Sequence, residues 1–316
     1  MPELPDVTVY VERLNARLAG QPLEQIRIAS PFLLRSVTPP LKSAQGVVVR
    51  HFERLAKRIV FACEGELFLV VHLMISGRLK WRERGAKIPA RLGLAAFDFP
   101  SGSLLLTEAS TKKRAWLRLV EGREALAALD PGGLEVLGSS LEAFAGALRS
   151  ENHTLKRSLT DPRLFSGIGN SYSDEILHRA RLSPVLLTQK MKDEDVAKLH
   201  AAVTGTLLDW TGRLRQEVGD GFPEKVTAFR EGMAVHGRFG KPCPTCGGTV
   251  QRIAYADNET NYCPRCQTGG RLLADRGLSR LLKDDWPKTP EALEELHRGL
   301  TGTRESPARR GRPRPR

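Results

Sequence analysis

Residues 243–266 read CPTCGGTVQRIAYADNETNYCPRC, in which two Cys-x-x-Cys pairs are separated by sixteen residues. Each pair closes a tight knuckle that presents two thiolates to one tetrahedral ion, and this spacing is typical of a zinc site. The runs 249–255 and 260–262 predict the two strands of a hairpin between the knuckles. Four thiolates leave no open coordination position, so the metal is expected to stabilise a fold and to do no chemistry. We therefore predict one structural Zn²⁺ bound by four cysteines: Cys243, Cys246, Cys263 and Cys266.

Length, charge and the first residues limit the class of protein. The chain has 316 residues, 41% of them hydrophobic, and a formal net charge of +13. These values exclude wholesale disorder and predict an anionic partner, a nucleic acid or a membrane surface, with a basic protein lacking a polyanionic ligand as the alternative. The longest apolar run, 67–75, contains His72 and is shorter than the roughly 20 residues of a membrane span. Residues 1–6 lack the features of a secretory signal, so we expect a cytoplasmic location, which disfavours disulfides as the role of the cysteines.

Helical and β-type patterns occupy different parts of the chain. Residues 4–18 place apolar side chains on one helical face. Short β-type runs then predict a β-sandwich or barrel, at residues 25–28, 46–52, 58–63, 67–73, 93–99 and 103–106. Helices are predicted after them, at residues 141–148, 154–159, 173–179, 193–217, 272–282 and 290–300. The chain is therefore expected to be an α+β multidomain protein.

Five motifs occur in an order that carries a family resemblance. They are MPELPD at residues 1–6, Lys57 within RLAKR, HLMISG at 72–77, GIGN at 167–170, and the cysteine motif followed by Gln267. Over about residues 2–267 the chain resembles the formamidopyrimidine-DNA glycosylase and endonuclease VIII family of base-excision repair enzymes. The resemblance implies an N-terminal β-sandwich with flanking helices, a helix-two-turns-helix domain and a zinc-finger hairpin, with DNA in the cleft between two lobes. We predict a catalytic domain, a helix-two-turns-helix domain, a zinc finger and a helical extension with a basic tail, at residues 1–125, 126–236, 237–270 and 271–316.

The resemblance also implies the chemistry of the N-terminus. Pro2 has a small side chain after Met1, so Met1 is expected to be removed and the proline nitrogen to become a free secondary amine. An α-amino group has a pKa of roughly 7.7 to 8, so a neutral, nucleophilic fraction exists at physiological pH. In the implied mechanism Pro2 attacks the sugar C1′ of a flipped, damaged nucleotide, the base leaves, and a Schiff base forms. Glu3 is the implied acid/base residue, and β,δ-elimination then cuts the strand on both sides of the sugar.

Further residues are expected to contact DNA. The resemblance implies that Lys57 lies at the catalytic cleft and holds phosphate, and that Asn170 binds phosphate from a Gly-rich turn that opens a helix. Lys156 is assigned to the same DNA-binding set, and Met74 and Ile75 to an apolar wedge that enters the gap left by the flipped base. The expected partner is damaged double-stranded DNA, with single-stranded DNA left open, and no membrane. A monomer in a bacterial-type, nucleoid-associated location is expected.

The sequence departs from the family pattern at several positions. Asp6 stands where the family commonly has Glu, and Ile75 replaces the void-filling methionine. The loop EASTKKRAW at residues 108–116 lacks the stacking Phe of the family. Lys112 and Lys113 keep the positive charge of that loop, and we expect them to contact DNA without fixing an opposite-base preference.

A further departure lies in the zinc finger. Asn258 stands where the family has a phosphate-binding Arg, and Asn lacks the charged, bidentate fork of that side chain. We expect Arg252 to replace it from the facing strand, with Asn258 as a weaker contact. The segment 219–233 is shorter than the loop with which purine-specific members cover the flipped base. This favours oxidised pyrimidines, hydantoins or abasic sites as substrates.

The C-terminal residues carry a separate signal. Residues 304–316 contain six Arg and one Glu, so they hold +5 of the net charge and the rest of the chain holds +8. Arg310 and Arg312, within the sequence RGRP, resemble the core of an AT-hook that lies in the minor groove of A·T-rich DNA. A generic basic tail is the alternative, and either one adds salt-dependent affinity for DNA.

These observations predict a bifunctional DNA glycosylase with abasic lyase activity. One alternative is a catalytically weakened protein of the same fold that binds damaged DNA or abasic sites. A zinc-ribbon RNA-binding protein is another, but it leaves the N-terminal motif unexplained. The joint presence of Pro2, Glu3 and Lys57 favours the enzyme, because a binding protein has no need of them.

Overall fold

The N-terminal part of the chain combines a helix with two antiparallel sheets. The computed structural model describes residues 1–227, 229–255, 258–273, 286–293, 295 and 298. Helix α1 covers Leu4–Leu18, and its apolar face, which includes Tyr10 and Leu14, is buried against the sheets. The Asp6 carboxylate accepts the backbone N–H of Glu3 at 2.9 Å, which fixes the first turn of α1.

Strands β1 to β9 form the predicted β-sandwich. Their bounds are Pro22–Leu23, Gln25–Ile28, Val47–Leu55, Arg58–Cys63, Leu67–His72, Gly77–Arg82, Gly93–Phe99, Gly102–Glu108 and Trp116–Glu121. The five-stranded sheet has the order β1-β3-β4-β5-β9, and the four-stranded sheet has the order β2-β7-β8-β6. The sheets share one core, in which the rings of Phe61 on β4 and Phe97 on β7 lie 5.3 Å apart. The expectation of a sandwich is therefore confirmed.

Both faces of the five-stranded sheet are covered. On β4, Ile59 and Phe61 point into the core between the sheets, whereas Val60 points to a second cluster on the other face. Leu126 of helix α2, Arg123–Ala127, belongs to that second cluster. This arrangement explains why β4 is apolar along its whole length, as is typical of a strand buried on both faces.

The middle of the chain is helical and forms its own core. Helices α3 to α6 cover Leu141–Arg149, Leu155–Thr160, Asn170–Ala180 and Asp193–Val218. Phe144, Phe165 and Tyr172 are buried at the centre of this core. Leu4 of α1 packs into it as well, so the N-terminus is anchored on the helical part and not on the sandwich. None of the described helices is long and apolar enough to cross a membrane.

The cysteine motif forms the predicted hairpin. Strands β10 and β11 cover Gln251–Ala254 and Glu259–Tyr262, pair antiparallel, and are followed by helix α7, Pro264–Thr268. Asn261 on β11 is buried beside α5, so the hairpin packs on the helical part of the chain.

Three local features differ from the sequence patterns. Strands β6 and β9 are not predicted, because they are edge strands in which charged side chains interrupt the apolar ones. Helix α5 begins at Asn170, three residues before the predicted start, because the Glu3 side chain satisfies its first N–H groups. Leu272 and Leu273 are not helical, and residues 274–282 lie outside the described residues. The proposed domain boundaries stay predictions.

Candidate functional site

The Glu3 carboxylate is buried at the N-terminus of α5. Its side chain is 1% exposed, and it accepts three backbone N–H groups, from Gly169 at 2.6 Å, Ser171 at 2.8 Å and Tyr172 at 3.3 Å. The first N–H groups of a helix have no partner within the helix, and its dipole favours a negative charge at that end. Glu3 is thus held in a fixed position by a helix more than 160 residues away in sequence.

Two glycines allow the N-terminus to approach this closely. Gly167 has a φ of +79°, and a Cβ there would lie 2.7 Å from the Leu4 side chain. A Cβ on Gly169 would lie 2.5 Å from Cδ of Glu3. The carbonyl of Gly167 also accepts the N–H of Leu4 at 2.9 Å. The Gly-x-Gly pattern is therefore required by the packing of α1 on the start of α5.

The change Gly169→Ala is expected to slow the chemistry of this site while the chain stays folded. The new methyl group would displace the Glu3 carboxylate, and a displacement of about 1 Å is sufficient to cost roughly 100-fold in rate. Gly146→Ala is the matched control, because a Cβ at that position within α3 meets nothing within 4 Å. We expect the control to stabilise the fold by about 0.5–1 kcal/mol. Borohydride trapping on abasic DNA and thermal unfolding measure the two effects, and equal trapping by both variants would contradict the packing argument.

A buried ion pair holds the backbone next to Glu3. Oδ1 of Asp6 accepts a hydrogen bond from Nη2 of Arg230 at 2.8 Å, while Oδ2 accepts one from the backbone N–H of Glu3. Burial raises the pKa of Asp6, and the Arg230 charge opposes that shift. Asp6, although its side chain is shorter than the Glu common in the family, therefore still fixes the first turn of α1. Arg230 is a site residue that is not predicted from the sequence. A buried Asp6 needs a cation as its partner, and this need is the signal that could have identified Arg230.

A large cleft opens beside this N-terminus. It has a volume of about 910 Å³, and α4, α5 and the zinc hairpin contribute to its walls. Four residues predicted from separate parts of the sequence meet in it: Lys57, Lys156, Asn170 and Asn258. Burial lowers the pKa of Lys57, the nearby Glu3 opposes that shift, and Lys156 adds to it.

The first residue of the chain reaches the cleft, and Pro2 follows it in a buried position. Met1 lines the cleft, and Pro2 is buried with its nitrogen in the Met1–Pro2 peptide bond. Burial lowers the pKa of the N-terminal amine, and the largest opposing effect is the negative charge of Glu3. An amine at this end of the chain is therefore more often neutral at pH 7 than an exposed one.

The predicted wedge lies on the turn between β5 and β6. Ile75 is 52% exposed, and Met74 has a positive φ of +50°. The Met74 N–H donates to Nδ1 of His72 at 3.0 Å, and burial lowers the pKa of His72 to about 4, so this ring stays neutral. Ile75 and Lys112 line one small pocket, whereas Lys113 donates to the carbonyl of Glu108. The wedge and the basic loop are thus neighbours.

The predicted contacts in the zinc hairpin lie in different places. Asn258 lines the cleft together with Ile253 and Tyr255. Arg252 faces away from them along β10, pairs with Glu259 at 3.1 Å, and lies over the ring of Phe239. The DNA-contact role of Arg252 stays a prediction. Arg310 and Arg312 lie outside the described residues.

The four cysteines form a metal site. Their sulfur atoms lie within 4.8 Å of one another, and those of Cys246 and Cys263 are 3.4 Å apart. Tetrahedral zinc with Zn–S distances of about 2.3 Å requires sulfurs about 3.8 Å apart, so the cluster fits one structural Zn²⁺. Nε2 of His178 on α5 lies 3.3 Å from the Cys243 sulfur. The metal site is therefore in direct contact with the helix that binds Glu3.

Three family descriptions match successive parts of the chain. The family descriptions that match are "Formamidopyrimidine-DNA glycosylase N-terminal domain" at residues 1–125, "Formamidopyrimidine-DNA glycosylase H2TH domain" at 134–210 and "Zinc finger found in FPG and IleRS" at 240–269. The formamidopyrimidine-DNA glycosylase of Heliobacterium modesticaldum is 31% identical over 277 residues, which cover 84% of this chain and 100% of that protein. An uncharacterized formamidopyrimidine-DNA glycosylase-like protein of Mycobacterium tuberculosis is 44% identical over 156 residues, 49% of this chain and 95% of that protein.

A solved structure shares the fold. The Lactococcus lactis enzyme, solved in complex with DNA that contains an abasic site, aligns with a TM-score of 0.74 at 23% identity and covers 84% of this chain and 99% of that chain. The sandwich, the helical core and the zinc hairpin thus agree with the sequence matches. The chain belongs to the formamidopyrimidine-DNA glycosylase family of DNA repair enzymes.

Proposed function

We propose that this protein is a bifunctional DNA glycosylase and abasic lyase that acts on oxidatively damaged DNA in the cytoplasm, at the nucleoid. The observation that carries the proposal is the buried Glu3 carboxylate, fixed by three N–H groups beside the N-terminal amine at the end of a basic cleft. A fixed acid/base group beside a terminal amine suits nucleophilic attack on a sugar carbon.

The proposed reaction starts with removal of Met1, which frees the Pro2 nitrogen. Pro2 attacks C1′, the bond from C1′ to the damaged base breaks, and Glu3 supplies a proton to the opening sugar ring as the Schiff base forms. Successive eliminations then release the 3′ and 5′ phosphates. Lys57 and Asn170 hold phosphates of the damaged strand in the cleft, and Ile75, Met74 and Lys112 occupy the gap left by the flipped nucleotide.

Borohydride trapping tests this proposal. The wild-type protein is expected to form a covalent adduct with duplexes that contain an abasic site or an oxidised pyrimidine, because borohydride reduces the Schiff base to a stable amine. Failure to trap on any lesion, with binding retained, would instead support the damaged-DNA binding protein.

The change Pro2→Gly is expected to slow adduct formation by at least about tenfold, because a flexible primary amine replaces the rigid secondary one. The control is Pro100→Gly, which removes a proline from an exposed turn between β7 and β8. Adduct formation by Pro2→Gly at the wild-type rate, measured in single turnover, would contradict a requirement for the rigid secondary amine of Pro2.

A further inference from the structure

The Lys156 ammonium group has no N–H left for a ligand. Its side chain is 12% exposed at the wall of the cleft. Nζ donates to the carbonyl of Asn170 at 2.7 Å, to Oγ of Ser173 at 2.8 Å and to Oδ1 of Asp174 at 2.5 Å. A lysine ammonium has three donors, and all three are used within the protein. This lysine therefore links α4 to the first turn of α5.

Asp174 joins three separate parts of the chain. Its side chain is 0% exposed. Oδ1 accepts from Lys156 on α4, while Oδ2 lies 2.8 Å from Nδ1 of His236 and accepts Nδ2 of Asn261 on β11 at 3.4 Å. The next residue, Glu175, accepts the N–H groups of residues 234–236. The start of α5 is thus the point at which α4, the segment before the zinc finger, and the hairpin are tied together.

We propose that Lys156 and Asp174 are positioning residues that act through Asn170. They hold the Asn170 carbonyl and the first turn of α5, so that the Asn170 side chain faces the DNA backbone. This inference rests on the proposed function, because it assigns a role within the DNA-binding cleft. It reassigns Lys156 from a phosphate ligand to a group that orients one.

The chemistry of the network supports this role. Moving a buried charge away from its partners is costly, so Lys156 is not expected to leave Asp174 for an exposed phosphate. Asn at position 174 has one acceptor oxygen in place of two, so Lys156 and Asn261 could no longer donate to separate oxygens. Replacement of Asp174 by Asn would therefore break a hydrogen bond of the network, either to Lys156 or to Asn261.

The sign of the expected effect separates positioning from long-range electrostatics. Asp174→Asn removes a negative charge close to a DNA-binding cleft, and long-range electrostatics alone would tighten DNA binding. Positioning predicts the opposite, a dissociation constant for a duplex with a tetrahydrofuran abasic analogue that is raised by about tenfold or more. Asp209→Asn, an exposed site on α6 with the same change in charge, is the matched control and is expected to change binding by less than about twofold.

Two further measurements show whether the pair acts through Asn170. Lys156→Met is expected to weaken binding about as much as Asp174→Asn, but in an Asn170→Ala background each change should add less than about twofold. The slope of log Kd against log salt should stay unchanged in Lys156→Met, whereas loss of a true phosphate contact lowers it by about 0.9. Zinc content and thermal unfolding identify variants that fail to fold. If Asp174→Asn does not fold, the salt dependence of binding by Lys156→Met and the double variant of Lys156→Met with Asn170→Ala still test the inference.

The outcomes are distinguishable from those of the proposed function. If the wild type traps DNA but Asp174→Asn binds as tightly as wild type or tighter, the inference fails and the proposed function stands. A lowered salt slope in Lys156→Met, or full additivity with Asn170→Ala, would also overturn it. If the wild type traps no DNA, the proposed function fails first.

Discussion

Replacement of Glu3 by Gln is expected to slow the release of a damaged base by about 10²–10⁴-fold, the usual contribution of a general acid/base. Gly169, Ser171 and Tyr172 donate to both carboxylate oxygens. A Gln amide has one acceptor oxygen and cannot transfer a proton, so it loses the chemistry and at least one of these hydrogen bonds. Single-turnover release of base at saturating protein measures the effect, with duplex binding measured in parallel.

Glu124→Gln is the control for this variant. Glu124 lies exposed on α2, on the outer face of the five-stranded sheet. The Glu124→Gln variant should therefore release the damaged base at the wild-type rate. Unchanged base release by Glu3→Gln would remove the acid/base role. A collapse of binding and of thermal stability, without a specific loss of rate at saturation, would instead assign Glu3 to folding.

Patterns that depend on neighbours in sequence could be predicted well. Helix α1 begins and ends at the predicted residues because its apolar face and its acidic first turn are local signals. Strand β4 also has the predicted bounds, and its last residue, Cys63, is buried. The cysteine spacing gave the zinc site for the same reason, since each knuckle is a local structure.

Contacts that depend on distant partners could not be predicted in this way. Arg230 meets Asp6 across more than 200 residues, and no local pattern marks either one as half of a buried pair. The sequence places Lys156 in the DNA-binding set, whereas in the structure its three donors are directed at α5. A charged residue looks the same in sequence whether it meets a ligand or a buried partner, so only the fold separates positioning residues from binding residues.

Loss of the zinc ion is expected to weaken binding of damaged duplex by at least about 100-fold, because structural zinc contributes roughly 10–16 kcal/mol to the folding of isolated zinc fingers. The hairpin supplies one wall of the cleft through Ile253, Tyr255, Asn258 and Thr260. It is also tied to α5, through Cys243 beside His178 and through Asn261 beside Asp174. Without the metal, both the wall and these ties should be lost.

Cys263→Ser and its control Cys63→Ser test this expectation on one chain. Cys263 is a zinc ligand, whereas Cys63 is buried in β4 within the core of the sandwich, and burial raises its pKa to about 12. Serine at position 63 buries a hydroxyl and should cost about 1–3 kcal/mol of unfolding free energy, with zinc content and DNA affinity unchanged. Serine at position 263 should remove zinc, as measured by a colorimetric metal assay, and weaken binding together with adduct formation. Because α5 binds Glu3 at one end and touches the cysteine cluster at the other, a zinc-free variant that still traps abasic DNA at the wild-type rate would mean that the start of α5 keeps its geometry without the hairpin.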